Sequence, residues 1–522
     1  MKFTTRINRY SAVFPASILA VILFLVVQRV WRGPSGFDVY YYALQTRAMS
    51  LGGPLFFDQS LVYGVLALLD RMVRNPVLSS QILSALSMGS IYGCLLVISF
   101  RRGPSLYKSA VAGIAVFNPA IFYQTLEFTK NNFSLAFFFI AYAALTGEGG
   151  RCGLPKRTAP SLFRFIAGLG CLAVSVLSHR MMLVVAGLFA AQALAVLPGV
   201  CRFARRGAGQ RLPGRILLCC GLVLGAALVT GLALLKTGLL DRLGVFSLAA
   251  PLDRLRQLGG TRPLPGEKIF YIILQILPVF LVPCLVVKKR LLGRSEAVFG
   301  LLAFLFVFPF LEFSWDGTGF RLLLLEPLML APLLLAAGEP VMPLGVITAG
   351  SAAGGNTGRP LGAAIAALFI AGSVLFTAES ALRLAPSKGP DYRRLAGEFA
   401  SIETLARGRR LIAHRGLAGF LWYEKGIWAE NFIPSGENGR YLRVVYAFTP
   451  EIFEPYLEEG DTLPVRISRS YTLIEEYLWQ RFYREKRDLR FLRSELNPCL
   501  PRPVSSFAIN REIARRMSPV SE

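Results

Sequence analysis

Charge is scarce in this chain, and acids are scarcer than bases. Asp, Glu, Lys and Arg make up 17% of 522 residues, 54% are hydrophobic, and mean hydropathy is +0.50. That balance cannot cover a soluble globular surface, so a water-soluble enzyme is excluded as a reading of the whole chain. Lys and Arg number 57 against 32 acids, and in so apolar a chain the excess points to basic cytoplasmic loops rather than to nucleic acid. The eight cysteines show no CxxC pair, no metal-ligand spacing and no disulfide framework. A repeat of fixed period and a low-complexity tract are also missing, which excludes solenoids and arrays.

What the chain does have is long apolar runs. The first follows MKFTTRINRY and ends at Gln28-Arg29 without a small-x-small cleavage site, so it reads as a retained signal anchor. Further runs long enough to cross hydrocarbon lie near 76–100, 108–126, 131–146, 163–178, 181–198, 215–235, 269–288, 295–311, 320–337 and 361–378, about eleven helices in all. Nearly all the excess positive charge precedes residue 391. The expected architecture is therefore a polytopic α-helical membrane domain over 1–380 and a small soluble α/β or α+β domain over 381–522. A cytoplasmic N-terminus puts the basic loops Arg101-Arg102, Arg151 to Arg164, Arg202 to Arg215 and Lys288 to Arg294 inside, as the positive-inside rule requires. The segment 340–357 is then a cytoplasmic connection and the C-terminal domain is extracytoplasmic.

Under this topology the ionisable residues of five separate segments gather on the outer side. Asp38 and Asp58 lie in the first loop, where GFDVYYYALQTRAMSLGGPLFFD places an acid before three tyrosines and a Gly-Gly-Pro break. A carboxylate beside aromatic rings can accept a proton from a substrate hydroxyl, which makes Asp38 the candidate general base and Tyr41 a candidate substrate contact. The structural alternative is a helix N-cap acid followed by interfacial tyrosines. Glu127 and Lys130 stand at the second connection, as a helper acid and a binding cation or as a helix-end ion pair. His179-Arg180 stands at the third, either contacting phosphate or satisfying a tight turn and anchoring lipid. Asp316 and Arg321 stand at the last, with Glu326 beyond them in an apolar run where a charge must find a partner. The loop 236–268 carries Arg242, Arg254, Arg256 and Arg262, an outer-loop excess suited to an anionic carrier or to bulk lipid.

These motifs resemble the GT-C type of membrane glycosyltransferases, in particular relatives of the dolichol-phosphate-mannose protein mannosyltransferases and of the lipid A aminoarabinose transferases. The resemblance rests on the acid and Tyr-rich helix after the first span, on Phe117-Asn118-Pro119 with Glu127 ending that span, on Ser178-His179-Arg180, and on Gly319-Phe320-Arg321 with Glu326-Pro327. It covers most of residues 1–380. No Asp-x-Asp pair is present, since Tyr40 stands two positions after Asp38, and Leu322 follows Arg321 where the mannosyltransferases usually have Tyr.

The resemblance implies a sugar transferred from a polyprenyl-phosphate carrier to an acceptor hydroxyl on protein, lipid or glycan, with inversion, at the outer face of the cytoplasmic membrane. Asp38 would accept the acceptor proton, Glu127 would assist it, and Arg180 and Arg321 would grip the departing phosphate. Tyr41, Lys130, His179, Arg256, Asp316 and Glu326 are further candidate contacts to substrate. No cofactor is expected, and the missing acid pair favours a metal-independent reaction, with Asp38, Glu127 and Asp316 the acids to meet around a divalent cation otherwise. Two other functions compete: a transporter or flippase of lipid-linked substrates, and a polysaccharide polymerase or ligase relying on 236–268. The transporter is disfavoured because its ionisable residues would lie near the midplane rather than at one surface. In the tail, His414 follows an apolar strand and is expected to be a structural histidine.

Overall fold

A computed structural model describes residues 11–30, 38–56, 58, 60–101, 106–146, 159–179, 181–190, 192, 324–337, 400–405, 409–430, 441–446, 448–467, 471–485 and 511–517. Before the tail, the described residues include the helices α1 Val13–Val30, α2 Val39–Ser50, α3 Leu61–Val73, α4 Pro76–Phe100, α5 Leu106–Val116, α6 Pro119–Glu127, α7 Thr129–Leu145, α8 Ala159–Ser178 and α9 Glu326–Ala337. The tail holds α10 Ala400–Leu405, β1 Arg410–Ile412, α11 Arg415–Lys425, β2 Ala429–Glu430, β3 Tyr441–Tyr446, a 3-10 turn Pro450–Tyr456, β4 Val465–Arg466, β5 Tyr471–Glu475, α12 Glu476–Glu485 and α13 Arg511–Met517. The chain forms two compact units. One comprises Met1–Phe24, Ala85–Thr125 and Lys130–Ser380; the other comprises Leu25–Ser84, Leu126–Thr129 and Ala381–Glu522. One division falls between Ser380 and Ala381, and the second unit also takes in Leu25–Ser84 and Leu126–Thr129 from the first 380 residues.

Among the described residues, α4 is the helix long and apolar enough to cross a membrane, with α1 and α8 shorter apolar helices. Small residues let helices approach closely, as they do where lipid removes the hydrophobic drive to associate. A Cβ at Gly89 would lie 2.3 Å from a Val21 methyl, and one at Gly93 would lie 2.5 Å from the Ser17 hydroxyl. The run expected as one span over 108–126 is two helices. Asn118 breaks it: its Nδ2 donates to the carbonyls of Ile114 and Ala115 at 3.1 and 2.9 Å, and its Oδ1 accepts from Ile121 N at 3.1 Å. One side chain therefore closes α5 and caps α6, with Pro119 at the first helical position where its missing N–H costs nothing. Past the next turn, Asn132 Nδ2 reaches back to the carbonyls of Gln124 and Thr125. Ser175 on α8 donates to the Ser134 carbonyl on α7 at 2.7 Å. The runs expected at 215–235, 269–288, 295–311 and 361–378, and the connection 340–357, lie outside the described residues.

The second unit is built on a five-stranded mixed sheet in the order β2-β1-β3-β5-β4. β1 runs parallel to β2 and β3, while β5 is antiparallel to β3 and β4. The parallel β1–β2 pair needs a crossover, which α11 supplies. Side chains alternate along β3 and β5, and both faces are covered. Leu442, Val444, Tyr471 and Leu473 face a core with Leu417, Phe420 and Leu421 of α11, and Tyr40 of α2 belongs to this core. On the opposite face Val445 and Ile474 pack with Phe453, Leu478, Trp479 and Phe482. The small tail domain expected from the sequence is thus a mixed sheet between two helical layers, one of which includes the first loop.

Candidate active site

The tyrosines after Asp38 are a core feature and do not form an interfacial belt. Tyr40, Tyr41 and Tyr42 are all buried. The Tyr40 ring meets Phe420 edge-on at 5.4 Å and Tyr423 at 5.8 Å, and a Cβ on Gly419 would lie 3.1 Å from Tyr40 Cβ, so the small residue lets α11 seat directly on α2. Burial of an aromatic of this size on both sides of a contact holds the start of α2 firmly. That start is Asp38. Its carbonyl accepts the Tyr42 N–H at 2.9 Å, beginning the helix. Its side chain is 3% exposed and makes no capping hydrogen bond. The N-cap alternative therefore does not account for this carboxylate, although the residue occupies the N-cap position.

The loop after α2 folds back along it. Gly52, at φ 109°, makes the turn that Gly-Gly-Pro announces. Phe56 then stacks on Tyr41 at 5.0 Å. Asp58 Oδ2 accepts from the Tyr63 hydroxyl of α3 at 2.9 Å and from Tyr41 at 3.3 Å. Burial first, then the neighbouring Tyr41 and Asp58, push the Tyr63 hydroxyl well above the ordinary tyrosine value, so it stays a donor to the carboxylate. The sequence showed Asp58 only as a loop acid. The structure makes it part of a built arrangement with Tyr41, itself a predicted contact, and with Tyr63, which nothing in the sequence singled out. On α3, Val62, Tyr63, Leu66 and Ala67 are buried, while Leu68 and Met72 are exposed.

The other expected residues are distributed as follows. Glu127 is the last residue of α6, and Lys130 lies in the first turn of α7, half-buried, with its carbonyl accepting from Ser134 Oγ at 2.8 Å. His179 is buried, and its Nδ1 accepts the Met181 N–H at 3.1 Å, which ties this nitrogen to the turn after α8. Glu326 begins α9 rather than lying inside a longer helix. Arg180, Arg256, Asp316 and Arg321 lie outside the described residues. Among those described, no group of three or more His, Cys, Asp or Glu is arranged to hold a metal ion.

His414 takes the structural role expected of it. It caps α11, accepting the Leu417 N–H at Nδ1, while Nε2 and the Tyr471 hydroxyl lie 2.8 Å apart. Burial lowers its pKa to about 3, so the ring is neutral.

No family model matches the chain, and no curated protein matches it. Among solved structures, it is similar to the crystal structure of ArnT from Cupriavidus metallidurans bound to undecaprenyl phosphate. The TM-score is 0.50 at 13% identity, covering 89% of this chain and 98% of that one. The apo-state structure of ArnT from the same organism has a TM-score of 0.44 at 13% identity, covering 91% of this chain and 98% of its own. The first likeness is one of fold: the chain shares its fold with that ArnT structure, in line with the class of fold that the motif resemblance implied.

Proposed function

We propose that the protein is a membrane glycosyltransferase that moves a sugar from a polyprenyl-phosphate carrier to an acceptor hydroxyl at the outer face of the cytoplasmic membrane. The observation that carries the reading is Asp38, a buried carboxylate at the start of the tyrosine-rich helix α2 that makes no capping hydrogen bond. The fold it shares with an ArnT solved with undecaprenyl phosphate supports the carrier class. In the reaction the acceptor oxygen bonds to the anomeric carbon from the face opposite the phosphate. Its proton passes to the Asp38 carboxylate, and the bond to the phosphate oxygen breaks, leaving the electron pair on the polyprenyl phosphate. Arg180 and Arg321 are the guanidiniums proposed to neutralise that leaving group. Glu127 would assist the base, and Asp58, held by Tyr41 and Tyr63, joins Asp38 as the second loop acid.

The test is a mass-spectrometric profile of surface glycans, lipids and glycoproteins from a deletion strain complemented with wild type or with Asp38→Asn at matched membrane expression. The expected result is an acceptor lacking one sugar in the mutant, restored by wild type, and the missing mass names the sugar. Full complementation by Asp38→Asn would remove Asp38 as base and bring back the transporter or ligase. Washed membranes assayed with and without chelator decide metal dependence.

A further inference from the structure

Gln45 lies two turns after Asp38 on α2 and is fully buried. All three hydrogen bonds recorded for its carboxamide go to the backbone of the returning loop. Oε1 accepts from Leu55 N at 2.8 Å and from Phe56 N at 2.9 Å, and Nε2 donates to the Phe56 carbonyl at 2.8 Å. The same Phe56 carbonyl accepts the Asp58 N–H at 2.6 Å. A single carbonyl therefore joins Gln45 to the backbone of Asp58. The side chain does for this segment what a partner strand would do, satisfying the buried Leu55 donor and both backbone groups of the half-buried Phe56.

From this geometry we infer that Gln45 is a positioning residue for transfer. It refers Asp58 and its tyrosine partners to the helix that begins at Asp38, and it acts through the backbone without touching substrate. The inference rests on the proposed role of the first-loop acids. The segment it fixes follows the Gly52 turn, whose backbone freedom would otherwise let 55–58 drift. Tyr41 stacking on Phe56 fixes the ring, while Gln45 fixes the peptide groups. A displacement of the order of 1 Å at a reacting group is enough to cost a large part of a rate.

The test compares Gln45→Leu, which keeps the volume and removes the hydrogen bonds, with Gln45→Glu, which keeps both acceptor bonds and loses the donor. Two quantities are measured on the full-length protein: sugar incorporated per molecule in complemented cells, and amide exchange at Leu55 and Phe56 after purification. Gln45→Leu is expected to lower incorporation about tenfold or more, with faster exchange at 55–56 and unchanged protection in β3 and β5. Gln45→Glu, which keeps the bonds from Leu55 N and Phe56 N but sets an oxygen against the Phe56 carbonyl, is expected to fall between wild type and Gln45→Leu in both. Wild-type incorporation by Gln45→Leu overturns the inference, as does equal loss in both variants with wild-type exchange at 55–56. If Gln45→Leu fails to accumulate, Gln45→Glu decides: incorporation that follows the exchange rate at Phe56 supports positioning, and incorporation lost without such a change refutes it. If Asp38→Asn transfers normally, the reading of the acids fails, whereas a failure confined to the Gln45 variants leaves that reading standing.

Discussion

In the helical unit, hydroxyl side chains turn back onto their own helix: Ser17 to the Val13 carbonyl, Ser99 to Leu95, Thr125 to Ile121 and Thr146 to Tyr142. Beside the sheet of the other unit, a buried charge is held by an opposite one. Arg443 grips Glu476 through two nitrogens and lies 5.7 Å from the Trp479 ring, and Gln480 donates to the same carboxylate at 2.6 Å. The contrast follows from the solvent each must face. In hydrocarbon a neutral group can be satisfied inside one helix, whereas a charge costs several kcal/mol even when it is paired. Beside a sheet, a bidentate pair can be completed by further hydrogen bonds. Asp58 is held in a third way, half-buried with two tyrosine hydroxyls donating to one of its oxygens.

The comparison can be broken at several points, with effects that descend in size. Asp38→Asn should lower transfer by about 10² to 10⁴, the usual worth of a general base, with membrane abundance unchanged; incorporation near wild type would mean that this burial serves folding alone. Arg443→Met, which strands Glu476, should destabilise the sheet by about 3–5 kcal/mol, read as denaturant-dependent exchange of β3 and β5, and adding Glu476→Leu should recover most of it. In the helical unit, Gly89→Leu should cost about 1–3 kcal/mol through overpacking against Val21 and Ser17, seen as reduced thermal stability in detergent, while transfer per folded molecule stays close to wild type.

The effect that is smallest near neutral pH belongs to His414. His414 is held at about 3 when folded, below the ordinary 6.5, so between these values the unfolded state binds the extra proton. Protection of β1 and α11 should therefore fall as pH drops below 6.5, with a slope approaching 1.4 kcal/mol per unit and flattening near pH 3. His414→Asn, which keeps an N-cap, should flatten that slope. An unchanged slope would mean that another group titrates.

Local features were legible in the sequence, and long-range ones were not. Asp38, its tyrosines and the Gly-Gly-Pro turn lie within one short stretch, and the structural role of His414 could be argued from its place at a strand end. The break at Asn118-Pro119 was also written in the chain as a turn-forming dipeptide, but the surrounding apolar run suggested one uninterrupted span. Tyr40 packing on Phe420 joins segments hundreds of residues apart, and no periodicity reports such a contact. Gln45 leaves no trace in composition because its partners are backbone groups, which every residue has. Asp58 was visible as an acid but not as the acceptor of two tyrosines, since Tyr63 lies on a helix that reads as merely apolar.

The shared core of Tyr40 with Leu411, Phe420 and Leu473 also constrains how the chain is threaded through the bilayer. A hydrophobic core cannot be divided by a membrane, so the first loop and the tail occupy the same compartment, whichever one that is. Any change in how the polypeptide is threaded between Val73 and Ala400 must then preserve that shared side. Adding or deleting a single crossing in that interval would deliver the sheet to the opposite side from Tyr40, leaving the helix that starts at Asp38 without the surface it packs on, however well every other helix inserted.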